Sequence, residues 1–310
     1  MASTLPSKAP IPKSTSALST WRISHRALRL QIFAYMSRRK QLLGEESYKP
    51  LEAEQICLLY IMPGNFDDDL EFYSEICELD EVDFSYNALS YVWGDDSAPK
   101  EAFMDGKKVS VGASLDDAVR HVRASVTDGM WIWIDALSIN QEDNDERNHQ
   151  VALMAKIYSL AREVLIWLGP RCPENECILE MKSILWDFRR PRSFSCWSED
   201  RKRLAKLFAW ICYQPWFGRI WILQEFTLAR QDPVFYIGSK RIPWEVLRSY
   251  LDSLWDRARD GYNVDSWPGT LRYNEHPVRA GRLRQVRDLY GPDAKWSDFS
   301  DYGLTKYIIV

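Results

Sequence analysis

The segment at 215–229, PWFGRIWILQEFTLA, carries one acid among residues that are mostly apolar. Apolar residues on all sides of the helical pattern predict a buried helix over Arg219–Ala229, with Glu225 on the same face as Trp221. Burial raises the pKa of a carboxyl group unless a cation or hydrogen-bond donors meet it. Glu225 is therefore either a catalytic acid or the partner of a base such as Arg219, and on the residues alone we prefer the ion pair.

A second acid, Asp135, ends the aromatic and β-branched run that begins at Trp131. Such a run is typical of a strand buried on both faces. In open α/β sheets ligands bind beyond the carboxyl ends of the strands, so Asp135 is a candidate site residue as well as a residue that could fix the loop. Asn140 and Gln141 follow in that loop, where they either contribute to a site or satisfy loop backbone.

A helix follows this loop, because Asp143 and Glu146 have the spacing of a helix N-terminal capping pattern. The helix leads to a second apolar strand at Val164–Gly169. Together with the strand at Trp131–Asp135 this is a βαβ unit, whose two strands we expect to be parallel neighbours with a right-handed connection.

The remaining elements complete an α/β order of strands and helices. The helices beyond residue 170 are expected to cover the sheet, and 261–310 has no clear pattern. The predicted elements are a strand at Ile56–Ile61, an acid-rich solvated helix face and loop at 67–83, a strand at Ala88–Trp93 ending at Gly94, a hairpin at Phe103–Val111, a helix capped by Ser114, helices at Glu174–Phe188, Asp200–Tyr213 and Pro243–Arg259, and a strand at Val234–Ile237.

The composition is that of a folded protein, with a hydrophobic fraction of 46% and no apolar run long enough to cross a membrane. Residues 1–44 hold eight bases and no acid, which leaves 32 bases against 44 acids elsewhere. An acidic body argues against nucleic-acid binding. The six cysteines form no CxxC pair and no histidine stands at metal spacing, so we expect reduced thiols and no metal site.

The basic N-terminal extension at 1–44 has two interpretations. Its lack of acids suits a mitochondrial transit peptide, but a disordered, solvated tail has the same composition. We prefer the tail and therefore a cytoplasmic protein.

Three blocks of the sequence resemble the fungal HET (heterokaryon incompatibility) domain. They are YNALSYVWGD, WIDALSINQEDNDERNHQVALMAKIYSLAREVLIWLG and PWFGRIWILQEFTLA. With the lead-in YKPLEAEQICLLYIMPG the resemblance covers Tyr48–Arg259, which indicates a HET domain at 45–260. The family pattern usually has cysteine where this chain has Ser138, and we interpret this position as one that needs only a small side chain.

The resemblance implies a fold and a function. HET domains are similar to TIR domains, so it implies a flavodoxin-like, mostly parallel sheet flanked by helices and a role in fungal non-self recognition that ends in programmed cell death. TIR enzymes cleave the N-glycosidic bond of NAD with a glutamate that follows a tryptophan by four positions. Trp221 and Glu225 have that spacing, although a longer insertion separates them from the preceding strand.

By this resemblance Glu225 is the catalytic residue and NAD the substrate, with no further cofactor. Its carboxylate would stabilise the oxocarbenium-like ribose, as in glycosidases. The remaining expected substrate-binding residues are Trp93 and Trp221 as ring-stacking residues, and Tyr91, Gly94, Asp135, Asn140 and Gln141 at the edge of the sheet.

A non-enzymatic function competes with this hypothesis. The same domain could serve as a signalling module that associates with copies of itself or with a partner protein. An open pocket around Glu225 would favour the enzyme, and a buried ion pair would favour the module.

Overall fold

The computed structural model describes residues 50–83, 85–94, 98–171, 203, 206–207, 210–211, 213–219, 221–249 and 252. The N-terminal extension, the predicted helix at Glu174–Phe188 and the segment 261–310 lie outside them, and the predicted helices at Asp200–Tyr213 and Pro243–Arg259 lie only partly within them. The strands are β1 (Gln55–Ile61), β2 (Glu71–Glu78), β3 (Asn87–Ser90), β4 (Lys100–Met104), β5 (Lys107–Val111), β6 (Met130–Trp133), β7 (Glu163–Trp167), β8 (Val234–Ile237) and β9 (Lys240–Pro243).

Helices and tight helical turns connect the strands. The helices are α1 (Ala113–Ala124), α2 (Asp135–Ser138) and α3 (Asn144–Leu160), and residues 244–249 are also helical. The 3-10 turns are Leu79–Glu81 and Pro215–Gly218, and a π-helical turn spans Leu223–Thr227.

The nine strands form one mixed sheet in the order β5-β4-β2-β1-β6-β3-β7-β8-β9. The predicted α/β class is confirmed, but the sheet is not mostly parallel. Its centre, β6-β3-β7-β8, is a parallel block, and β2 pairs in parallel with β4. Strand β1 runs antiparallel to both neighbours, and β5 and β9 run antiparallel to theirs. The reason is the length of the connections, since β4–β5 and β8–β9 are joined by two-residue turns that permit only antiparallel pairing.

The βαβ unit is present, but its strands are not neighbours. Strand β3 lies between β6 and β7 and pairs in parallel with both. All four residues of β3 are buried, which suits the centre of a sheet covered on both faces. Helix α3, which lies between β6 and β7 in the sequence, begins as predicted, because the Asp143 side chain accepts hydrogen bonds from the backbone N–H groups of Asp145 and Glu146.

Two other predictions were wrong. The acid-rich stretch contains strand β2, which pairs with β1 over its whole length, and its acids stand among inward-facing residues such as Phe72 and Cys77. Ser114 does not cap helix α1, which begins at Ala113 after Gly112. The Ser114 hydroxyl instead donates to the carbonyl of Val92 at 2.6 Å.

Side chains alternate between two apolar clusters on opposite faces of the sheet. In β7, Val164 and Ile166 belong to the cluster beneath α3, whereas Leu165 and Trp167 belong to the cluster beneath α1. The segment 215–229 covers the same face as α3. The carboxyl ends of β3 and β6 therefore meet α3 and this segment at one edge of the sheet.

Candidate functional site

Glu225 is fully buried and held by an ion pair within its own segment. Arg219 donates from Nη1 to Oε2 and from Nη2 to Oε1 of Glu225, both at 3.0 Å. The Ser90 hydroxyl, at the end of β3, also donates to Oε2. Both carboxylate oxygens are thus occupied by protein donors. The structure contains the ion pair that the sequence predicted as one of two alternatives, and a catalytic role for Glu225 stays a prediction.

The backbone around Glu225 is not the predicted α-helix. Arg219 has an extended conformation, and the turn at Leu223–Thr227 is π-helical, with the Trp221 carbonyl accepting from the N–H groups of Gln224 and Glu225 at 3.0 and 3.2 Å. Glu225 is 0% exposed but Trp221 is 39% exposed, so their predicted common face is wrong. Isolated π-helical turns are rare and occur often at functional sites.

Ser90 connects Glu225 to a buried tryptophan. The indole Nε1 of Trp216 donates to the Ser90 oxygen at 2.6 Å, which leaves the hydroxyl hydrogen for Glu225. Both Ser90 and Trp216 are buried. The hydrogen bonds therefore run in one direction, from Trp216 through Ser90 to the carboxylate. We did not predict either residue as part of the site, although a serine within the apolar run NALSYV was a visible signal.

Asp135 lies beyond the end of β6, as its position after an apolar strand predicted, and it is the first residue of α2. Its Oδ2 accepts from the indole Nε1 of Trp93 at 2.7 Å, and its Oδ1 accepts from the backbone N–H of Ala136 at 2.8 Å. Trp93 is 43% exposed. The structure thus joins two predicted site residues from neighbouring parallel strands.

Burial dominates the electrostatics of both acids. It raises the pKa of Glu225 above its usual range, against the opposing charge of Arg219 and the hydroxyl of Ser90. It likewise raises the pKa of Asp135, against the donors from Trp93 and Ala136. Burial lowers the pKa of Arg219, but the charge of Glu225 and other nearby acids raises it by more, so the guanidinium stays charged.

Tyr158 of α3 completes the buried surroundings. Its hydroxyl donates to the Leu89 carbonyl at 3.0 Å, and burial followed by the charge of Glu225 raises its pKa well above the usual range. Tyr158 is therefore a neutral donor that fixes α3 to β3. In this arrangement the carboxylate of Glu225 has no contact with solvent, while the side chains of Trp93 and Trp221 are partly exposed.

The polar residues of the loop after β6 form hydrogen bonds to nearby backbone groups. The Gln141 amide donates to the carbonyls of Asp135 and Ile139 at 2.8 and 3.4 Å, and the Asn140 side chain accepts from the N–H of Glu142 at 3.1 Å. The buried Ser138 hydroxyl accepts from the N–H of Ile134 at 3.1 Å. These contacts hold the loop that carries Asp135.

Tyr91 and Gly94 follow β3 on either side of Val92 and Trp93. Tyr91 is buried in the apolar cluster beneath α1, on the face opposite Ser90. Gly94 has a φ of +76°, and a Cβ there would lie 3.3 Å from the Cβ of Ser114. Gly94 therefore allows the chain to turn closely past α1 directly after Trp93.

Glu146 is a buried acid whose role was predicted only as a helix cap. Its Oε1 accepts from the N–H of Asn140 at 2.8 Å and its Oε2 from the N–H of Leu51 at 3.2 Å. It therefore connects the chain before β1 to the loop that follows α2.

In the part of the chain that the structure describes, no group of three or more His, Cys, Asp or Glu residues could hold a metal ion. Over the same residues, no helix is both long and apolar enough to cross a membrane.

Comparison with known proteins identifies the region that contains these contacts. Residues 86–225 match the family described as heterokaryon incompatibility protein (HET). Heterokaryon incompatibility protein 6, OR allele, of Neurospora crassa is 27% identical over 224 residues, which cover 54% of this chain and 31% of that relative, so the match spans about a third of the relative's length. No solved structure matches the chain. The match begins at Tyr86 and ends at Glu225, and so includes Ser90, Trp93, Asp135 and Trp216. Residues 86–225 of this chain are thus similar to a HET domain.

Proposed function

We propose that the protein acts in heterokaryon incompatibility, as an effector of fungal non-self recognition that ends in programmed cell death. The observation that carries this proposal is the HET match over residues 86–225, together with a relative named for heterokaryon incompatibility. The buried network around Glu225 lies within the matched region.

The geometry favours a signalling module that associates with copies of itself or with a partner protein. Both oxygens of Glu225 are bound by Arg219, the side chain is 0% exposed, and no oxygen is left to meet a substrate in this arrangement. The bidentate pair joins Arg219 to the central residue of the π-helical turn at Leu223–Thr227 and so holds this turn against the extended chain before it. In a signalling module the ion pair would maintain this local conformation and take no part in catalysis.

Hydrolysis of NAD by a TIR-like domain is the second candidate, and the position of Glu225 favours it. The carboxylate meets Ser90 at the carboxyl end of a central parallel strand, which is where open α/β sheets bind ligands. For this chemistry the Arg219 pair would have to open, so that the freed carboxylate could stabilise the positive charge on the ribose as nicotinamide leaves.

Release of nicotinamide from NAD by the full chain, at high protein concentration, separates the two candidates. If Glu225 is catalytic, Glu225→Gln lowers turnover by about 100-fold or more. Glu163→Gln is the matched control, because Glu163 pairs with Arg241 at 2.7 Å at the surface and lies outside the network. Turnover that is equal in both variants would contradict the catalytic assignment.

Cell death on expression in a fungal host tests the proposed function itself. Death that requires the HET domain but persists in Glu225→Gln, without nicotinamide release, supports the signalling module. Death that is lost in Glu225→Gln together with turnover supports the enzyme. A chain that causes no incompatibility reaction with any tested genetic background would overturn the function that both mechanisms share.

A further inference from the structure

Trp93 combines an exposed ring with a fixed orientation. The side chain is 43% exposed, yet its indole N–H donates to Oδ2 of Asp135 at 2.7 Å. Asp135 is fixed in turn, because its Oδ1 accepts from the N–H of Ala136 at 2.8 Å. The polar atom of the indole is therefore satisfied within the protein, and its aromatic surface faces solvent in one orientation.

The backbone on both sides of Trp93 is held as well. Before it, the carbonyl of Val92 accepts from the Ser114 hydroxyl at 2.6 Å. After it, Gly94 has a positive φ and passes so close to Ser114 that an added Cβ would lie 3.3 Å away. A ring fixed at both its backbone and its tip loses little conformational freedom when a ligand binds against it.

The position of Trp93 is that of a ligand-binding residue. Trp93 follows β3 and Asp135 follows β6, and these strands are adjacent and parallel. Loops after the carboxyl ends of parallel strands form the binding crevice of open α/β sheets. An exposed tryptophan face stacks well on flat aromatic rings, with little dependence on the identity of the ring.

The charges nearby select among such rings. The Asp135 carboxyl group lies 2.7 Å from the indole nitrogen of Trp93, whereas the guanidinium of Arg219 forms two hydrogen bonds with Glu225. A carboxyl group so close to the indole disfavours an anionic ring. It favours a neutral or cationic ring, the latter also by attraction to the indole face.

We propose that Trp93 is a stacking platform for the flat, neutral or cationic heteroaromatic ring of a small ligand, and that Asp135 positions it. This inference deepens the proposed function by naming the ligand class of the same site. It concerns binding alone, so it holds for a ligand-responsive signalling module as well as for an enzyme.

Titration of the full chain with three related rings tests the proposal. The probes are 1-methylnicotinamide, nicotinamide and nicotinate, which carry positive, no and negative charge on the same ring. With 15N-labelled tryptophan, the indole resonance of Trp93 is the one that disappears in Trp93→Phe. We expect this resonance to shift with 1-methylnicotinamide and nicotinamide and to respond least to nicotinate. Shifts confined to other indoles would overturn the platform, and equal binding of nicotinate would overturn its charge selectivity.

Variants separate stacking from positioning. Trp93→Ala should weaken binding of 1-methylnicotinamide about 10-fold or more. Asp135→Ala should also weaken it, whereas Asp135→Asn should restore most of the affinity, because the Asn carbonyl oxygen can still accept from the indole N–H. Phe66→Ala is the matched control, since the Phe66 side chain is also aromatic and is 38% exposed, but it does not follow β3 or β6.

Three outcomes would contradict the proposal: unchanged binding in Trp93→Ala, equal binding in Asp135→Ala and the wild type, or loss in Phe66→Ala. Should Trp93→Ala unfold, Trp93→Phe serves instead, with an intermediate loss expected because its ring still stacks but no longer binds Asp135. Binding is measured without turnover or cell death. Failure of the platform is thus distinguishable from failure of the proposed function.

Discussion

At the scale of single residues, the buried Arg219–Glu225 ion pair constrains the fold. The exposed fraction of the Glu225 side chain is 1% and that of Arg219 is 19%, so two charges have been taken largely out of water. Such a pair contributes little net stability when intact, but loss of one partner leaves a buried charge uncompensated. The pair therefore acts mainly as a constraint on the conformation of 215–229.

A double-mutant cycle in urea unfolding tests this constraint. We expect Arg219→Gln to lower the free energy of unfolding by about 3–5 kcal/mol, because the Glu225 carboxylate loses its counter-charge. The double variant Arg219→Gln with Glu225→Gln should lose less than Arg219→Gln alone, because two neutral amides replace the charged pair. Additive losses would contradict the coupling.

Individual site residues were predicted to different extents. The position of Asp135 directly beyond a strand was predicted because an acid at the end of an apolar run is a local signal. Ser90 was missed because its significance depends on Glu225, which lies 135 positions away. The choice between a catalytic acid and an ion pair for Glu225 could not be made from sequence, since the extended backbone of Arg219 decides whether its guanidinium can reach the carboxylate.

At the scale of elements, two local signals were confirmed. The hairpin at 103–111 is present, and Asp105 and Gly106 have φ values of 52° and 78°, as a type I′ turn requires. The cap of α3 at Asp143 is also confirmed. The π-helical turn and the position of β3 between β6 and β7 were not predicted, because both result from packing between distant parts of the chain.

The loop between β1 and β2 is held by a buried cation of helix α1. The Arg123 side chain is fully buried, and its guanidinium donates to the carbonyls of Asn65, Phe66, Asp68 and Asp69 at 2.6–3.3 Å. Arg123 thus binds four backbone acceptors of one loop, and Arg120 also donates to two of them, the carbonyls of Phe66 and Asp68. We therefore expect this contact to fix the loop against α1.

Replacement of Arg123 by Met should loosen the loop and destabilise the protein. We expect the free energy of unfolding in urea to fall by roughly 3 kcal/mol, because the carbonyls of Asn65 and Asp69 lose the donor and those of Phe66 and Asp68 keep only Arg120. Hydrogen exchange should increase at residues 62–70 first. Lys156→Met is the control: its ion pairs with Glu54 and Asp80 are at the surface, and its loss should cost less than about 1 kcal/mol. Equal effects of the two substitutions would contradict the role of Arg123.

At the scale of the whole molecule, the described sheet ends in two strands that carry protective residues. The outer strand β5 has the sequence KKVSV, with Lys107 and Lys108 exposed, and the outer strand β9 has the sequence KRIP, with Arg241 and Pro243 exposed. Lysine and proline on edge strands discourage pairing with another sheet. If the chain associates with copies of itself, as proposed for the signalling module, we therefore expect it to use a surface other than these edges.

Substitution of one edge lysine tests this argument. Lys108→Val removes a charge together with its ion pair to Glu101 and leaves an apolar residue on the outer strand of the described sheet. We therefore expect faster growth of light scattering on incubation than for the wild type. Arg147→Val is the matched control, because it makes the same change of charge at an exposed position of helix α3, where no strand edge is offered. If both variants scatter alike, lost charge alone explains the effect. If neither does, the edge of β5 is protected by something other than its lysines.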